Sequence, residues 1–395
     1  MRTPAQRDVP ALKLHRVSRV VDGEPHLSEI DLELAPGSFN VVLGRTRAGK
    51  TSLLRVLAGL DHPSQGRLLL GTGEQDITRR SVRERGVAMV YQQFVNYPSL
   101  TVYDNIASPL RLQKAPRHPQ TEIDRRVREA AELLGLTPFL MRLPAELSGG
   151  QQQRTAIARA LVKDANLVLL DEPLANLDYK LREELRVQLR AIFAARGATV
   201  VYATAEPDEA LLLGGRTAVI HEGRLLQVGS TLSVYEQPNC QVVAEVFSDP
   251  QLNLFDLEVA QQAGTKAIQI GHADHMIQVG TASTHALQSL PTGRYRVGVR
   301  AHHLRLAPSS EADLRLRAST LIDEVTGSAT LLHMAFGSVT LTAQLPGIHR
   351  RALGSIVELF IAPERLIVFH QDGRPVAFAP SSSTISRSSD AAHGP

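Results

Sequence analysis

The stretch that most constrains this chain is Gly44-Arg45-Thr46-Arg47-Ala48-Gly49-Lys50-Thr51. It follows the pattern G-x-x-x-x-G-K-T, a phosphate-binding loop that needs a strand before it and a helix after it. Both flanks fit. Phe39-Asn40-Val41-Val42-Leu43 is a short apolar run suited to a buried parallel strand. Thr51 to Ala58 has helical character, and Gly59 stands where a helix end favours glycine. In that order the loop N–H groups and the first helical turn converge on one concavity, which the helix dipole makes attractive to a polyphosphate. The expected contacts are Gly44, Arg45, Thr46, Arg47, Ala48, Gly49, Lys50, Thr51 and Ser52. Lys50 is expected to reach the β- and γ-phosphates, and the Thr51 hydroxyl to ligate Mg²⁺.

With 395 residues the chain has room for more than one core. Its 43% apolar and 21% charged residues are ordinary for a soluble globular protein. A net charge of +3 makes no case for nucleic-acid binding. The clusters Arg79-Arg80, Arg83, Arg85 and Arg125-Arg126, Arg128 read as solvated faces. The single cysteine, Cys240, excludes an intrachain disulfide and a cysteine zinc site and fits a cytoplasmic address. Met1 to Asp8 lack the apolar core of a signal peptide, and no run reaches the ~18 apolar residues of a membrane span. Work at a membrane therefore requires docking on a partner.

Along the chain, Ala11–Val17 and Ile30–Leu34 alternate like antiparallel strands, with a turn at Pro36-Gly37. Gly66–Leu70 and Val87–Tyr91 read as further strands. Between about 95 and 160 the pattern turns helical, at Asp124–Leu134 and Gln152–Leu161. Leu167–Asp171, Thr199–Ala203 and Arg216–Ile220 are apolar strands, with a long helix over Lys180–Ala195. Such alternation predicts an α/β fold with a mostly parallel sheet covered on both faces. From about 231 to 380, short alternating segments punctuated by Gly and Pro predict a small all-β domain, and Ser381–Pro395 a disordered tail.

Two more motifs bear on the loop. Asp171 and Glu172 end an apolar strand, where Asp171 would complete a Mg²⁺ shell and Glu172 would orient or deprotonate a water. A plain helix cap at a strand end is the alternative. Ser148-Gly149-Gly150-Gln151 precedes a helix and forms a second anion nest. One nucleotide does not need two nests from one chain, so the pattern suggests a dimer with each nucleotide between one chain's loop and the other's Ser-Gly-Gly. A simple Ser-capped helix start is the alternative.

Taken together and in order, Gly44–Thr51, Gln92, Leu147–Gln151, Leu167–Pro173 and Leu177-Asp178 resemble the ATP-binding subunit of an ABC transporter. Asn96–Ile106 resembles the carbohydrate-importer branch that serves maltose and glycerol-3-phosphate. Gly229–Ala244 and Arg300–Leu304 resemble that branch's C-terminal OB-like regulatory domain. Ala48–Ser52, Tyr91–Phe94 and Tyr202–Pro207 are similar to a subgroup that serves glycerol uptake with two different ATPase chains.

The resemblance implies an ATP-binding domain over 1–230 with a helical subdomain, and an ATPase at the cytoplasmic membrane face. Its implied partners are permease subunits, a second ATPase chain and, indirectly, an extracytoplasmic solute-binding protein. It implies that Gln92 senses the γ-phosphate and Mg²⁺, and that Gln93–Ile106 faces the permease. Ser148–Gln151 would embrace the partner's ATP, and Asp178 would lie in the dimer-crossing loop. Soluble relatives in translation or DNA repair lack the C-terminal β-domain.

Two positions depart from the family pattern. Ala205 stands where a histidine contacts the γ-phosphate, and Val21 where an aromatic stacks on adenine. Two functions stay open on this reading: a transport-coupled ATPase, or an ATP-binding regulatory half with little hydrolysis of its own.

Overall fold

A computed structural model describes residues 10–112, 118–175, 177, 179–262, 265–272, 275–279, 287 and 289–376. The chain divides into two compact units, Met1–Gln237 and Pro238–Pro395.

In the first unit, β1 (Leu12–Val21) and β2 (Glu24–Leu34) form an antiparallel hairpin. β3 (Phe39–Leu43) runs into the phosphate loop and α1 (Lys50–Ala58). β4 (Gln65–Leu70) and β5 (Gln75–Asp76) return to the hairpin, giving a sheet of order β2-β1-β4-β5. β6 (Val87–Val90) is followed by α2 (Val102–Arg111), α3 (Gln120–Leu133) and α4 (Gly149–Val162). The chain then alternates through β7 (Leu167–Asp171), α5 (Tyr179–Arg196), β8 (Thr199–Thr204), α6 (Pro207–Leu213) and β9 (Arg216–His221). β10 (Arg224–Ser230) pairs back on β9, and α7 (Thr231–Glu236) closes the unit.

The second sheet has the order β10-β9-β3-β8-β7-β6 and is parallel except at β9–β10. The predicted parallel sheet is thus present, with a separate antiparallel sheet beside it. β7 and β8 are buried along their whole length, as strands covered on both faces must be. Leu53, Leu54, Val56 and Leu57 of α1 fill the core between the two sheets together with Leu14, Ile30, Val42 and Leu169. That packing fixes the start of α1, and hence the phosphate loop, against the ends of β3, β7 and β8.

Arg85 is not a solvated arginine: its Nη1 donates to Val56 O (2.7 Å) and Leu57 O (3.0 Å), satisfying carbonyls at the end of α1. Arg125, Arg126 and Arg128 do sit on an ion-paired face of α3, with Glu122, Asp164 and Asp124.

The second unit begins with α8 (Gln241–Val246), and its described residues beyond α8 form mainly strands, with short 3-10 turns at Ala301–His303 and Pro363–Arg365. β11 (Asn253–Gln262), β12 (Thr265–His272), β13 (His275–Gln278) and β14 (Gly293–Val299) join one sheet. β15 (Leu314–Val325), β16 (Ala329–Phe336), β17 (Val339–Pro346) and β18 (Ile356–Ile361) form another, and β19 (Ile367–His370) returns to the first. The orders are β13-β12-β11-β14-β19 and β17-β16-β15-β18. One core, with Phe255, Val297, Leu316, Met334 and Leu359, joins the two sheets in an all-β, OB-like arrangement. Residues 381–395 lie outside the described residues. Among the described residues no helix is long and apolar enough to cross a membrane.

Candidate functional site

The phosphate loop has its shape because two positions accept only glycine. A Cβ on Gly44 would stand 2.4 Å from Ile220 O. Gly49 has φ +107, and a Cβ there would stand 2.7 Å from His26 O. Arg47 also takes a left-handed conformation, at φ 67. The loop is tied down by Gly44 N donating to Thr204 O (3.2 Å) and Gly223 N donating to Ala48 O (2.9 Å).

Lys50, 4% exposed, opens α1. Its Nζ donates to Gly44 O (2.7 Å) and Arg45 O (3.1 Å) and lies 3.1 Å from Glu172 Oε1. Glu172 Oε2 in turn accepts from Gln92 Nε2 at 3.2 Å. Glu172 has φ 45, unusual for a residue with a side chain, and its N–H donates to Ala203 O at 3.0 Å. The acid predicted at the end of β7 therefore faces the predicted lysine, with the predicted glutamine alongside.

Asp171 is 2% exposed. Burial pushes its carboxyl above the usual range; the Thr51 hydroxyl and Lys50 oppose that shift, and Glu172 adds to it. Its Oδ1 has no hydrogen-bond partner. An unsatisfied buried carboxylate oxygen beside a threonine hydroxyl suits a hard divalent cation. Among the described residues no cluster of three or more His, Cys, Asp or Glu side chains is available to a metal. Asp171, with the Thr51 hydroxyl and the Gln92 amide oxygen, would hold such a cation, with phosphate and water oxygens completing its shell as they do for Mg²⁺.

Ser52 Oγ lies 3.1 Å from His26 Nδ1. His26, an exposed residue within β2, carried no signal in the sequence. Val21 ends β1 opposite Glu24.

Ser148 caps α4 by accepting from Gln151 N (3.3 Å), and Gln151 Oε1 accepts from Ser148 N (3.0 Å). Gly149 is exposed and Gly150 half-buried. Further along α4, Gln153 Nε2 donates to Pro173 O at 2.5 Å. Sequence reasoning passed over Gln153, although it shares a helical face with the buried Ile157, Ala160 and Leu161. A polar residue on an apolar stripe was the available signal. Asp178 lies outside the described residues.

Ala205 follows β8, half-buried, on a turn held by a polar cluster. Thr204 Oγ1 (2.6 Å) and Tyr202 OH (3.0 Å) donate to Glu209 Oε2, while Arg186 Nη2 is 3.2 Å from Glu209 Oε1 and 2.8 Å from Glu206 Oε2. Burial, and then the Glu209 carboxylate, push the Tyr202 hydroxyl well above its ordinary range. On the segment resembling a permease contact, Val95 is 61% and Tyr97 41% exposed. Arg159 stacks over the Tyr97 ring at 4.4 Å, and Asn96 Nδ2 donates to Gln152 O at 2.9 Å.

Residues 27–175 match the ABC transporter family. The chain is 36% identical over 351 residues to the trehalose/maltose import ATP-binding protein MalK of Thermococcus litoralis, covering 86% of this chain and 92% of that protein. It is 34% identical over 363 residues to the sn-glycerol-3-phosphate import ATP-binding protein UgpC of Yersinia pestis, covering 91% and 97%. Among solved structures it is similar to a dimeric ATP-binding cassette in a post-hydrolysis state with ADP and Pi. That match has a TM-score of 0.51 and 27% identity, over 56% of this chain and 98% of that one.

Proposed function

This chain belongs to the ABC transporter family, among the ATP-binding subunits of importers, and from that premise we propose how it binds and hydrolyses ATP to drive solute import. The observation that carries the reading is the convergence of Lys50, Thr51, Gln92, Asp171 and Glu172 from separate elements.

The N–H groups of Gly44–Thr51, with Ser52, bind the phosphates, and Lys50 leaves Glu172 to engage them. Thr51, Asp171 and Gln92 would hold Mg²⁺, which would supply positive charge to neutralise the phosphates. Glu172 orients the attacking water and accepts its proton. The water oxygen bonds to the γ-phosphorus as the bridging P–O bond breaks, and ADP leaves with the electron pair. Ser148–Gln151 of a second chain closes over the nucleotide, with Asp178 in the crossing loop. The solute is of the sugar or glycerol-phosphate class named in the relatives, or glycerol itself, as the resemblance of Ala48–Ser52, Tyr91–Phe94 and Tyr202–Pro207 implies.

The chain acts peripherally, at the cytoplasmic face, on permease subunits that contact Gln93–Ile106 and that receive solute from an external binding protein. We assign ATP binding to 1–230 and regulation to 231–380. Ala205 favours a second reading, in which this chain is the weaker half of a pair with a homologous ATPase. Alanine offers no donor to a γ-phosphate, and losing one such donor costs about 3 kcal/mol of barrier.

The experiment is ATP turnover of the purified complex with Glu172→Gln or Ala205→His in this chain. Loss of turnover in the first supports the enzyme reading. Unchanged turnover in the first, with a rise in the second, supports the regulatory half.

A further inference from the structure

Between the two candidate halves of the site runs a short buried connection. Gln153 is 2% exposed on α4, just after the Ser148–Gln151 nest. Its Nε2 donates to Pro173 O at 2.5 Å, and its Oε1 is buried with no hydrogen-bond partner. A helix-borne amide kept in a core for one hydrogen bond is costly, so that bond has a use beyond packing.

Pro173 directly follows Glu172, so its carbonyl bounds the peptide segment that carries the acid. Glu172 itself sits at φ 45, a conformation a side-chain-bearing residue keeps only when its neighbours impose it. On one side the constraint is Glu172 N donating to Ala203 O at 3.0 Å. On the other it is Gln153. Leu177, 5% exposed, lies close to Gly150, where an added Cβ would stand 3.3 Å from Leu177 Cδ2. From the far side, Arg182 Nη2 donates to Ala175 O (3.2 Å) while its Nη1 holds Glu206 Oε1 (2.9 Å). The segment after Glu172 is therefore strapped between α4 and the turn that carries Ala205.

We infer that Gln153 is a positioning residue for hydrolysis, joining the anion nest at the start of α4 to the peptide that carries Glu172. A shift of α4 is passed through one buried hydrogen bond to the acid. The inference rests on the dimeric reading above, in which the nest of each chain closes on the other chain's ATP. Occupancy of one site then sets the acid of the other, because α4 of each chain touches both. Gln153 itself touches no nucleotide.

The test uses Gln153→Met, which keeps length and unbranched shape but cannot donate, with Gln153→Glu as a second variant that keeps shape and loses the donor. ATP affinity is measured at equilibrium and turnover on the assembled importer. Hydrogen exchange is followed in peptides covering 146–152 and 170–177, and thermal melts check folding. The expected result is an ATP Kd within about twofold of wild type with turnover down about tenfold to a hundredfold. ATP should still protect 146–152 but no longer 170–177. Turnover within about twofold of wild type, or both segments protected as in wild type, overturns the inference. Affinity falling in step with turnover overturns it too, since that marks a plain structural role. The exchange readout decides even if this chain hydrolyses little ATP. If ATP protects neither segment in the wild type, it is the dimeric reading that fails.

Discussion

Glu172→Gln should tighten ATP binding as well as stop turnover. The reason lies in the contact it removes: Lys50 Nζ stands 3.1 Å from Glu172 Oε1, with the two side chains 5% and 20% exposed. To grip a phosphate, Lys50 must give up that carboxylate, and the carboxylate must then tolerate a nearby polyanion. At an effective dielectric of about 20, two unit charges 3.1 Å apart attract by roughly 5 kcal/mol. Desolvation of a largely buried pair offsets most of that. Gln92 Nε2, 3.2 Å from Glu172 Oε2, shares the carboxylate and weakens the pull further. A net cost of about 1–2 kcal/mol to ATP binding remains, or roughly a five- to thirtyfold gain in affinity when the charge is removed. Titration calorimetry with Mg-ATP on wild type and Glu172→Gln measures it, at low and high salt. The same or weaker affinity in the variant would show that the Lys50–Glu172 contact does not compete with the nucleotide.

Other predictions follow from single positions. Gly49→Ala places a Cβ 2.7 Å from His26 O at φ +107 and should destabilise the first unit by about 1–3 kcal/mol, read by urea unfolding, with loss of ATP binding. Glu209→Ala leaves the buried Arg186 short of a counter-charge and two hydroxyls short of an acceptor; about 3–5 kcal/mol of stability should go in the same assay. Asp171 is held above the usual carboxylate range by burial, so its share of stability is full below that range and lost as pH rises through the raised value. Asp171→Asn should therefore melt higher than wild type near neutral pH without nucleotide, and the gap should close in acid, while the Mg²⁺ dependence of ATP binding disappears.

The phosphate loop, Asp171, Glu172 and α4 were legible because each is a local pattern: glycines at fixed offsets, an apolar run ending in acids, a Ser-Gly-Gly start. That Gln92 joins Glu172 was legible only through the family resemblance, since the two are 80 residues apart and meet because β6 and β7 are neighbours in the sheet. β10 carries no strand signal in the sequence, because its five central residues are all half-buried between exposed Arg224 and Ser230 and show no alternation. Burial alternates over the first eight residues of β15 and along β16, but Thr, Ser, His and charged residues blur the pattern in letters. Arg85 read as solvated because a lone arginine carries no mark of the helix end it caps. His26 shows the same limit, since its partner Ser52 comes from another element, whereas Gln153 stands out only as a polar residue on the apolar stripe of α4, with nothing local to name Pro173 as its partner.

On the dimeric reading, ATP on this chain's loop is completed by the Ser-Gly-Gly nest of another chain. Ser148→Arg in the assembled importer tests it, with photolabelling of this chain by azido-ATP measured beside turnover. Labelling at Gly44–Thr51 should be retained while turnover is lost. Labelling lost together with turnover, or turnover unchanged, would contradict it.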